Sequence, residues 1–350
     1  MAFSENTRNL KDEVIQFNFM QDKSNPENTL KWGIIAAGNI ARKMAEAIEG
    51  TEGSELYAVA SRSLEKVKAF AEEYRVPNAY GSYEELVEDP HIDVIYIANI
   101  HPQHFESAKL ALHAGKAVLC EKPMTINAKE TEELIALARK KNVFLMEGLW
   151  MRCNPNLNKL KEWVNKGRIG KVKEIEVDFS IESKAPRHIS LELGGGALLD
   201  LGIYTISFAN WIIGKFPDTI SSESELSSTG VDEIDHVTFN WETGEKAKLT
   251  FGIHAFGSLS AKVIGTHGYI NVPRPFHCTS GISLHDTKRD EEYSVPFKIN
   301  GYEYQVEEVM RCLKGGLKES PVMPLEETLG TMRLMDSLRS QWGVVYPFES

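Results

Sequence analysis

The stretch Trp32-Gly33-Ile34-Ile35-Ala36-Ala37-Gly38-Asn39-Ile40-Ala41 decides the fold of this chain. Its apolar first half predicts a buried strand, and its second half predicts a tight turn that leads into a helix. The turn matches only the last two positions of the pattern G-x-G-x-x-G/A, because Ala36 stands where the first glycine is expected. The N-terminus of such a helix offers free amides and a dipole to a dinucleotide pyrophosphate. We therefore predict nucleotide contacts at Ala36, Gly38, Asn39 and Ile40, the alternative being a tight turn without a ligand.

From Lys31 onward, short apolar segments alternate with helical patterns. The predicted strands are Lys31–Ala36, Glu55–Ala60, Val94–Ala98, Ala117–Cys120 and Phe144–Met146, and the predicted helices are Ile40–Ile48, Leu64–Tyr74, Gln103–Ala114 and Ala128–Lys140. Strands of this kind are typical of a parallel sheet with both faces covered. The alternation predicts an α/β fold, with a doubly wound parallel sheet and right-handed crossovers. We assign residues 31–152 to this Rossmann domain.

The pattern changes after Arg152. Helices are predicted over 156–166 and 197–213 and a strand over 172–181, and the chain from Thr219 to Val295 consists of consecutive strands before two final helices, 301–314 and 325–342. Consecutive strands form antiparallel or mixed sheets. Residues 153–350 are therefore predicted to form a C-terminal α+β domain with a large open, mostly antiparallel sheet. We expect its uncovered face to bind a second copy, giving a homodimer. Residues 1–30 form an arm of unassigned role, with an extra helix predicted over about residues 9–20.

The composition limits the class of protein. With 42% hydrophobic and 25% charged residues, the chain is an ordinary globular protein, and its net charge of −11 argues against a nucleic-acid partner. We find no apolar run near the roughly 18 residues that a membrane span needs, and no signal-peptide pattern in the first 30 residues. The four cysteines are widely spaced. Reduced thiols and a cytoplasmic location are therefore expected.

The end of the second predicted strand indicates which cofactor binds. The residues there are Ala60-Ser61-Arg62-Ser63, with no carboxylate to bond a ribose 2′-hydroxyl. Ser61 and Arg62 offer a hydroxyl and a guanidinium, both suited to a 2′-phosphate. This favours NADP(H) over NAD(H); the alternative is a solvated arginine.

A pair of histidines follows the strand Val94–Ala98, in His101-Pro102-Gln103-His104. Ligands bind at the carboxyl ends of strands in such sheets. The spacing of His101 and His104 suits a metal, but no third or fourth ligand is evident, so we predict no metal site. We expect a helix-opening loop beside the nicotinamide half of the cofactor.

Two further segments supply groups for acid/base chemistry. Glu121-Lys122-Pro123 follows the strand Ala117–Cys120 at the carboxyl edge, where Lys122 could point into the cleft. The glycines of Gly194-Gly195-Gly196-Ala197-Leu198-Leu199-Asp200-Leu201-Gly202-Ile203-Tyr204 permit left-handed backbone and close approach. They open a helix in which Asp200 and Tyr204, four residues apart, share one face. Each segment alone also fits a structural role.

Together these groups suit hydride transfer at a carbinol carbon. A base must take the hydroxyl proton as hydride leaves, and a free tyrosine with a pKa near 10 is a poor base. A lysine ammonium nearby would favour the phenolate of Tyr204, and Asp200 would orient Lys122 or the substrate hydroxyl. In the reverse direction the same tyrosine protonates the alkoxide.

With these residues, the chain resembles the glucose–fructose oxidoreductase/inositol dehydrogenase (Gfo/Idh/MocA) family over about residues 31–348. Many members have histidine where Tyr204 stands, and tyrosine points to the branch that contains glucose–fructose oxidoreductase, dimeric dihydrodiol dehydrogenase and NADP-dependent D-xylose dehydrogenase. The resemblance implies a Rossmann domain, an open-sheet second domain and dimers through that sheet. It also implies catalytic roles for Lys122, Asp200 and Tyr204, coenzyme contacts at Tyr96 and His104, and a segment lining the cofactor cleft at Trp150 and Arg152. The predicted cofactor site also includes His101, Glu121 and Lys122, which follow strands at the carboxyl edge of the sheet.

The function predicted from these observations is oxidation or reduction, with NADP(H), of the CH–OH group of a sugar or cyclic vicinal diol. Arg187 and His188, in the loop Lys184–Leu193, are the polar candidates for substrate binding. The alternative is an NAD(P)-binding regulator of the same fold without turnover. A glycosidase-like reaction that recycles bound NAD is disfavoured by the missing acid near Arg62 and by tyrosine at position 204.

Overall fold

The computed structural model describes residues 29–349. The predicted N-terminal arm therefore lies outside the described residues, apart from its last two positions. The first strand begins at Leu30, one residue earlier than predicted.

The N-terminal half is built on six parallel strands in the order β3-β2-β1-β4-β5-β6. The strands are β1 (Leu30–Ile35), β2 (Ser54–Ala60), β3 (Asn78–Tyr80), β4 (Val94–Ile97), β5 (Ala117–Glu121) and β6 (Leu145–Gly148), and the helices are α1 (Asn39–Gly50), α2 (Leu64–Tyr74), α3 (Tyr83–Glu88), α4 (His101–His113) and α5 (Ala128–Lys141). This order, with the first strand at the centre, confirms the predicted doubly wound Rossmann sheet. It brings the carboxyl ends of β1, β4 and β5 together at one edge.

Two elements of this domain were missed by the sequence analysis. β3 has three residues and pairs only with β2 at the sheet edge, and α3 has six. Elements this short show too few repeats of an apolar pattern to be recognised.

The second sheet has eight strands in the order β14-β13-β12-β11-β7-β10-β9-β8. The strands are β7 (Val172–Ser180), β8 (Thr219–Leu226), β9 (Asp232–Asn240), β10 (Lys246–Gly252), β11 (Ala261–Gly265), β12 (Gly268–Val272), β13 (Gly281–Asp286) and β14 (Asp290–Ser294), and the helices are α6 (Pro155–Asn165), α7 (Ile203–Ile213), α8 (Glu303–Lys314) and α9 (Leu325–Trp342). Only β7 and β10 pair in parallel, so the predicted mostly antiparallel sheet is confirmed. One face is apolar and contacts α6 and α7, while the other carries residues such as Glu176 and Lys248.

The central helix differs from its prediction. The predicted helix Ala197–Ile213 begins with a π-helical turn over Leu198–Gly202 and continues as α7. The segment Leu191–Ile213 is long and apolar enough to cross a membrane, but 83% of its apolar window is buried inside the protein. Its apolar length is therefore explained by burial in the protein core.

The C-terminal helix returns to the Rossmann domain. Leu325 and Leu329 belong to the same apolar core as residues of β4 and β5, and the amide of Ala128 donates to Asp336 at 2.8 Å. The chain after β14 therefore does not belong to the second half alone, because α9 also packs against the Rossmann domain. The sequence analysis had assigned all of it to the C-terminal domain.

Candidate functional site

The turn after β1 keeps a glycine-like conformation although its first residue is alanine. Ala36 has φ +78°, in the left-handed region that favours glycine. Gly38 is the N-cap residue of α1, and a Cβ added to it would have no atom within 4 Å. No side chain among the described residues caps α1, and its first turn contains no acid. These features leave room and free amides for an anionic group at the place where Asn39 and Ile40 open the helix.

Two predicted phosphate-binding groups lie at the end of β2. Arg62 is exposed and forms no ion pair with any carboxylate in residues 29–349, and Ser61 follows the last residue of the strand. The Ser61 hydroxyl oxygen accepts only a weak 3.3 Å bond from the amide of Ser63. Both side chains are therefore available to a 2′-phosphate.

Lys122 and Asp200 form the centre of the cleft between the two sheets. The Nζ of Lys122 donates to Asp200 Oδ1 at 2.6 Å and to the Asp200 carbonyl at 2.8 Å, and both side chains are 12% exposed. Burial raises the pKa of Asp200, but Lys122, His188 and Arg187 outweigh it and hold this pKa well below its usual range. Asp200 is therefore a carboxylate at neutral pH and holds the ammonium in one position.

Tyr204 lies next to this ion pair and is 5% exposed. Its hydroxyl accepts a hydrogen bond from the indole N–H of Trp150 at 2.9 Å, and Lys122 Nζ lies 5.1 Å from the centre of its ring. Burial, with Tyr302 and Glu121, raises the pKa of Tyr204 well above its usual value, and the bond from Trp150 opposes this rise. The expectation that Lys122 favours the phenolate stays a prediction; in this structure the Lys122 side chain is bound to Asp200 and lies over the Tyr204 ring.

The glycine loop before Asp200 is held by close backbone contacts. A Cβ on Gly195 would lie 2.6 Å from the carbonyl oxygens of Arg187 and His188. Gly196 has φ +112°, and a Cβ there would overlap a carboxyl oxygen of Asp232 at 2.2 Å. The loop needs glycine at both positions, and it feeds directly into the π-turn that carries Asp200. Turns of this type are frequent at functional sites.

The two predicted substrate residues approach the same carboxylate. Arg187 donates to Asp200 Oδ2 at 3.2 Å with half of its side chain exposed. His188 is buried, and its Nε2 lies 2.9 Å from Asp200 Oδ2 at an angle poor for a hydrogen bond. Arg187 therefore contacts Asp200 from the solvent side, whereas His188 contacts it from the interior.

Three predicted cofactor residues are buried and bound to other groups of the protein. Tyr96 is completely buried, and its hydroxyl donates to Glu121. His104 is also buried, and its two ring nitrogens lie 2.7 Å from the carbonyl oxygen of Pro123 and 2.9 Å from that of Asn99. Arg152 is buried between Trp211 and Glu327. The predicted contacts of these three residues with the cofactor stay predictions. Each of the three residues already forms hydrogen bonds to other groups of the protein, although Arg152 Nε has no partner among the described residues.

The remaining predicted residues lie at the site. Glu121 is buried at the end of β5, and burial raises its pKa to about 7. His101 contacts the glycine loop through Nδ1, 3.2 Å from the carbonyl of Gly194, and burial lowers its pKa to about 3. Residues 29–349 contain no group of three His, Cys, Asp or Glu placed to hold a metal ion.

Three aromatic residues at the site were not found from the sequence. Tyr302 stacks on Trp150 with ring centres 4.4 Å apart, and His277 stacks on Phe179 at the same distance. Both Phe179 and His277 also contact the Tyr204 ring, at 5.5 and 5.1 Å. They come from distant parts of the second half and belong to no motif, so only the folded chain brings them together.

Comparison with known families assigns the chain. The family model described as "Oxidoreductase family, NAD-binding Rossmann fold" matches residues 30–149, and the model of the GFO/IDH/MocA C-terminal domain matches residues 157–271. The chain belongs to the Gfo/Idh/MocA family. The resemblance stated from the motifs is thereby confirmed, and with it an oxidoreductase architecture with a nucleotide-binding domain.

Similar members of this family include named dehydrogenases. The chain is 39% identical to trans-1,2-dihydrobenzene-1,2-diol dehydrogenase of Xenopus tropicalis, over 91% of this chain and 99% of that protein, and 35% identical to the Homo sapiens protein of the same name, over 91% and 98%. Among solved structures, the 3-ketoreductase KijD10 of Actinomadura kijaniata with TDP-benzene and NADP aligns with a TM-score of 0.78 at 25% identity, covering 89% of this chain and 98% of that one. The aldose-aldose oxidoreductase of Caulobacter crescentus has a TM-score of 0.81 at 21% identity, covering 90% and 98%, and shares the fold.

Proposed function

We propose that the protein is an NADP(H)-dependent dehydrogenase acting on the CH–OH group of a sugar or a cyclic vicinal diol. The observation that carries the proposal is the buried set of Lys122, Asp200 and Tyr204 in the cleft between the two sheets, near the carboxyl edge of the nucleotide-binding sheet. Relatives named for a cyclic diol and a ketoreductase solved with NADP support the substrate class and the cofactor.

The residues present fit NADP(H). The free amides of α1 and the open space at Gly38 suit the pyrophosphate, and Ser61 and Arg62 suit the 2′-phosphate. When bound, the nicotinamide accepts or delivers the hydride.

In this proposal Tyr204 moves the proton. A phenol with a raised pKa is neutral at pH 7, which suits it to protonate a carbonyl oxygen that gains hydride, and alcohol oxidation is the reverse. The indole N–H of Trp150 stabilises the negative charge that develops on the phenol oxygen. Lys122 uses two of its three N–H groups on Asp200 and keeps the third for the substrate oxygen.

The walls of the cleft match a ring that carries adjacent hydroxyls. In this proposal the aromatic group next to Tyr204, formed by Trp150, Phe179 and Tyr302, supplies the surface on which the apolar face of a sugar or dihydrodiol packs. Arg187, half exposed at the mouth, offers N–H groups to a second hydroxyl.

The test is the initial rate of NADP+ and NAD+ reduction with D-xylose, D-glucose, myo-inositol and a trans-dihydrodiol, with Tyr204→Phe as control. Turnover with NADP+ that is lost in Tyr204→Phe, while NADPH still binds, is the expected result. Turnover with NAD+ alone would contradict the proposed role of Arg62. Tight NADPH binding with no turnover across an extended panel would instead support a non-catalytic regulator.

We also propose a homodimer through the open face of the second sheet. This face carries both signs of charge, Glu176 and Asp178 beside Lys248 and Lys262, so a two-fold axis can place opposite charges against each other. Light scattering after size exclusion should give about twice the 39.3 kDa chain mass, and a Lys248→Glu/Lys262→Glu variant should give the monomer. A wild-type monomer at micromolar concentration would refute this part.

A cytoplasmic location is a separate proposal. All four cysteines are free thiols, and Cys120, Cys153 and Cys312 are buried, which suits a reducing compartment. Fractionation of cells that express the chain is the test, and recovery in a secreted fraction would contradict it.

A further inference from the structure

Two aspartates lie behind the glycine loop, away from the cleft. Asp232 and Asp235 are both completely buried in β9. Residues three apart in a regular strand face opposite sides, but the pairing of β9 with β8 shifts between Glu225 and Leu226. This bulge leaves one extra residue in β9 and turns both carboxyl groups toward the interior.

Asp232 holds the start of the π-turn. Its Oδ2 accepts a 2.5 Å hydrogen bond from the amide of Leu198, two residues before Asp200. Its other oxygen fills the space where a Cβ of Gly196 would stand. Asp232 therefore fixes the glycine loop both by a hydrogen bond and by its volume.

Asp235 has no partner that could neutralise it. Neither of its oxygens, nor Oδ1 of Asp232, forms a well-aligned hydrogen bond among the described residues, and the neutral hydroxyl of Ser224, opposite Asp235 on β8, is the one nearby donor that influences it. The titratable group closest to Asp235 is Asp232 itself, and Tyr346 of the C-terminal segment is influenced by both aspartates as well as by Arg339 of α9 and by Glu349. Arg339 is paired with Glu349 and contacts the Tyr346 ring at 4.9 Å, while the Tyr346 hydroxyl donates to the Gly195 carbonyl.

Two adjacent buried carboxylates without a cation are unfavourable, whereas one proton between them supplies the missing donor. We propose that Asp232 and Asp235 share one proton and act as positioning residues. The protonated Asp235 keeps Asp232 as the anionic acceptor that fixes the Leu198 amide, and thereby fixes the turn that presents Asp200 to Lys122. The kinetic consequence rests on the proposed dehydrogenase function; the shared proton does not.

The first test needs no substrate. Burial and the charge of Asp232 raise the pKa of Asp235 to about 9, so the folded chain holds one more proton than the unfolded chain between about pH 4 and pH 9. A raised pKa of this kind stabilises the fold at low pH, and the contribution is lost as pH rises toward 9. Asp235→Asn keeps an N–H donor and cannot ionise. The Tm of this variant minus the Tm of the wild type should therefore increase steadily from pH 5 to pH 9.

Glu223→Gln, which changes an exposed carboxylate on the neighbouring strand, is the matched control and should show no such trend. A difference in Tm between Asp235→Asn and the wild type that does not change with pH would overturn the shared proton.

The second test measures positioning. In Asp232→Ala the Leu198 amide loses its acceptor, and we expect kcat to fall about 10- to 100-fold, as small misplacements of reacting groups do. The Kd for NADPH should stay within about twofold, because α1 is untouched, and Asp235→Asn should keep kcat within about threefold at pH 7. An unchanged kcat in Asp232→Ala would refute the positioning role. If the wild type turns over no substrate, the proposed function fails, and the Tm comparison still decides the shared proton.

Discussion

Replacing Trp150 with phenylalanine isolates one hydrogen bond at the proposed proton-transfer residue. The indole N–H donates to the Tyr204 hydroxyl at 2.9 Å, and the same side chain stacks on Tyr302. Phenylalanine keeps the stack and removes the donor. A hydrogen bond to an oxygen that gains charge contributes about 1.5–3 kcal/mol, which corresponds to about a 10- to 150-fold loss of kcat. KM should change little, since the aromatic wall is kept.

The pH dependence gives a second readout of the same bond. The contact with Trp150 opposes the burial that raises the pKa of Tyr204, so its removal raises this pKa further. Alcohol oxidation needs the phenolate, and the rise of kcat with pH should therefore move to higher pH in Trp150→Phe. Tyr302→Phe keeps both the stack and the indole bond and is the matched control. If Trp150→Phe keeps kcat within about threefold and an unshifted profile, the indole does not stabilise the charge on Tyr204.

Three further predictions concern the cofactor and the ion pair. Gly38→Val should change Tm by less than about 2 °C, because the added side chain meets open space. The same change should weaken NADPH binding at least about tenfold in a fluorescence titration, and an unchanged Kd would place the pyrophosphate elsewhere. Arg62→Glu should lower kcat/KM for NADP+ relative to NAD+ by about 100-fold, and an unaltered preference would identify Arg62 as a solvated surface residue. The lowered pKa of Asp200 stabilises the fold above about pH 4, and this contribution is lost as pH falls through the folded pKa. The Tm of the wild type should therefore drop more steeply below pH 4 than that of Asp200→Asn, and parallel curves would show that the Lys122 pair contributes nothing to stability.

The Rossmann half was accessible from the sequence because its signals are local. The apolar run Trp32–Ile35, the turn at Gly38 and the regular strand–helix alternation each depend on neighbours within a few residues. Parallel strands place their carboxyl ends at one edge, so Lys122 could be located in the cleft before any contact was known. The short elements β3 and α3 were not predicted, because each contains less than two repeats of an apolar pattern.

The directions of the side chains at the site could not be predicted from the sequence. Tyr96, His104 and Arg152 stand on the expected elements, yet each side chain is buried and bound to another group of the protein. Sequence position places a residue near an edge of the sheet, but the groups packed behind it decide which way a polar atom faces.

The sequence by itself determined the fold class, the nucleotide-binding turn and the membership of Lys122, Asp200 and Tyr204 in one site, because chain connectivity and periodicity encode them. Only the tertiary structure decided the ionisation of that site. Whether Lys122 acts on the phenol oxygen of Tyr204 or on the carboxylate of Asp200 depends on distances of a few ångströms and on burial. The bond from Trp150, the aromatic wall and the aspartate pair of β9 likewise join residues far apart in the chain. Electrostatic and packing energies act through space, so they are set by the folded arrangement and leave no motif in the sequence.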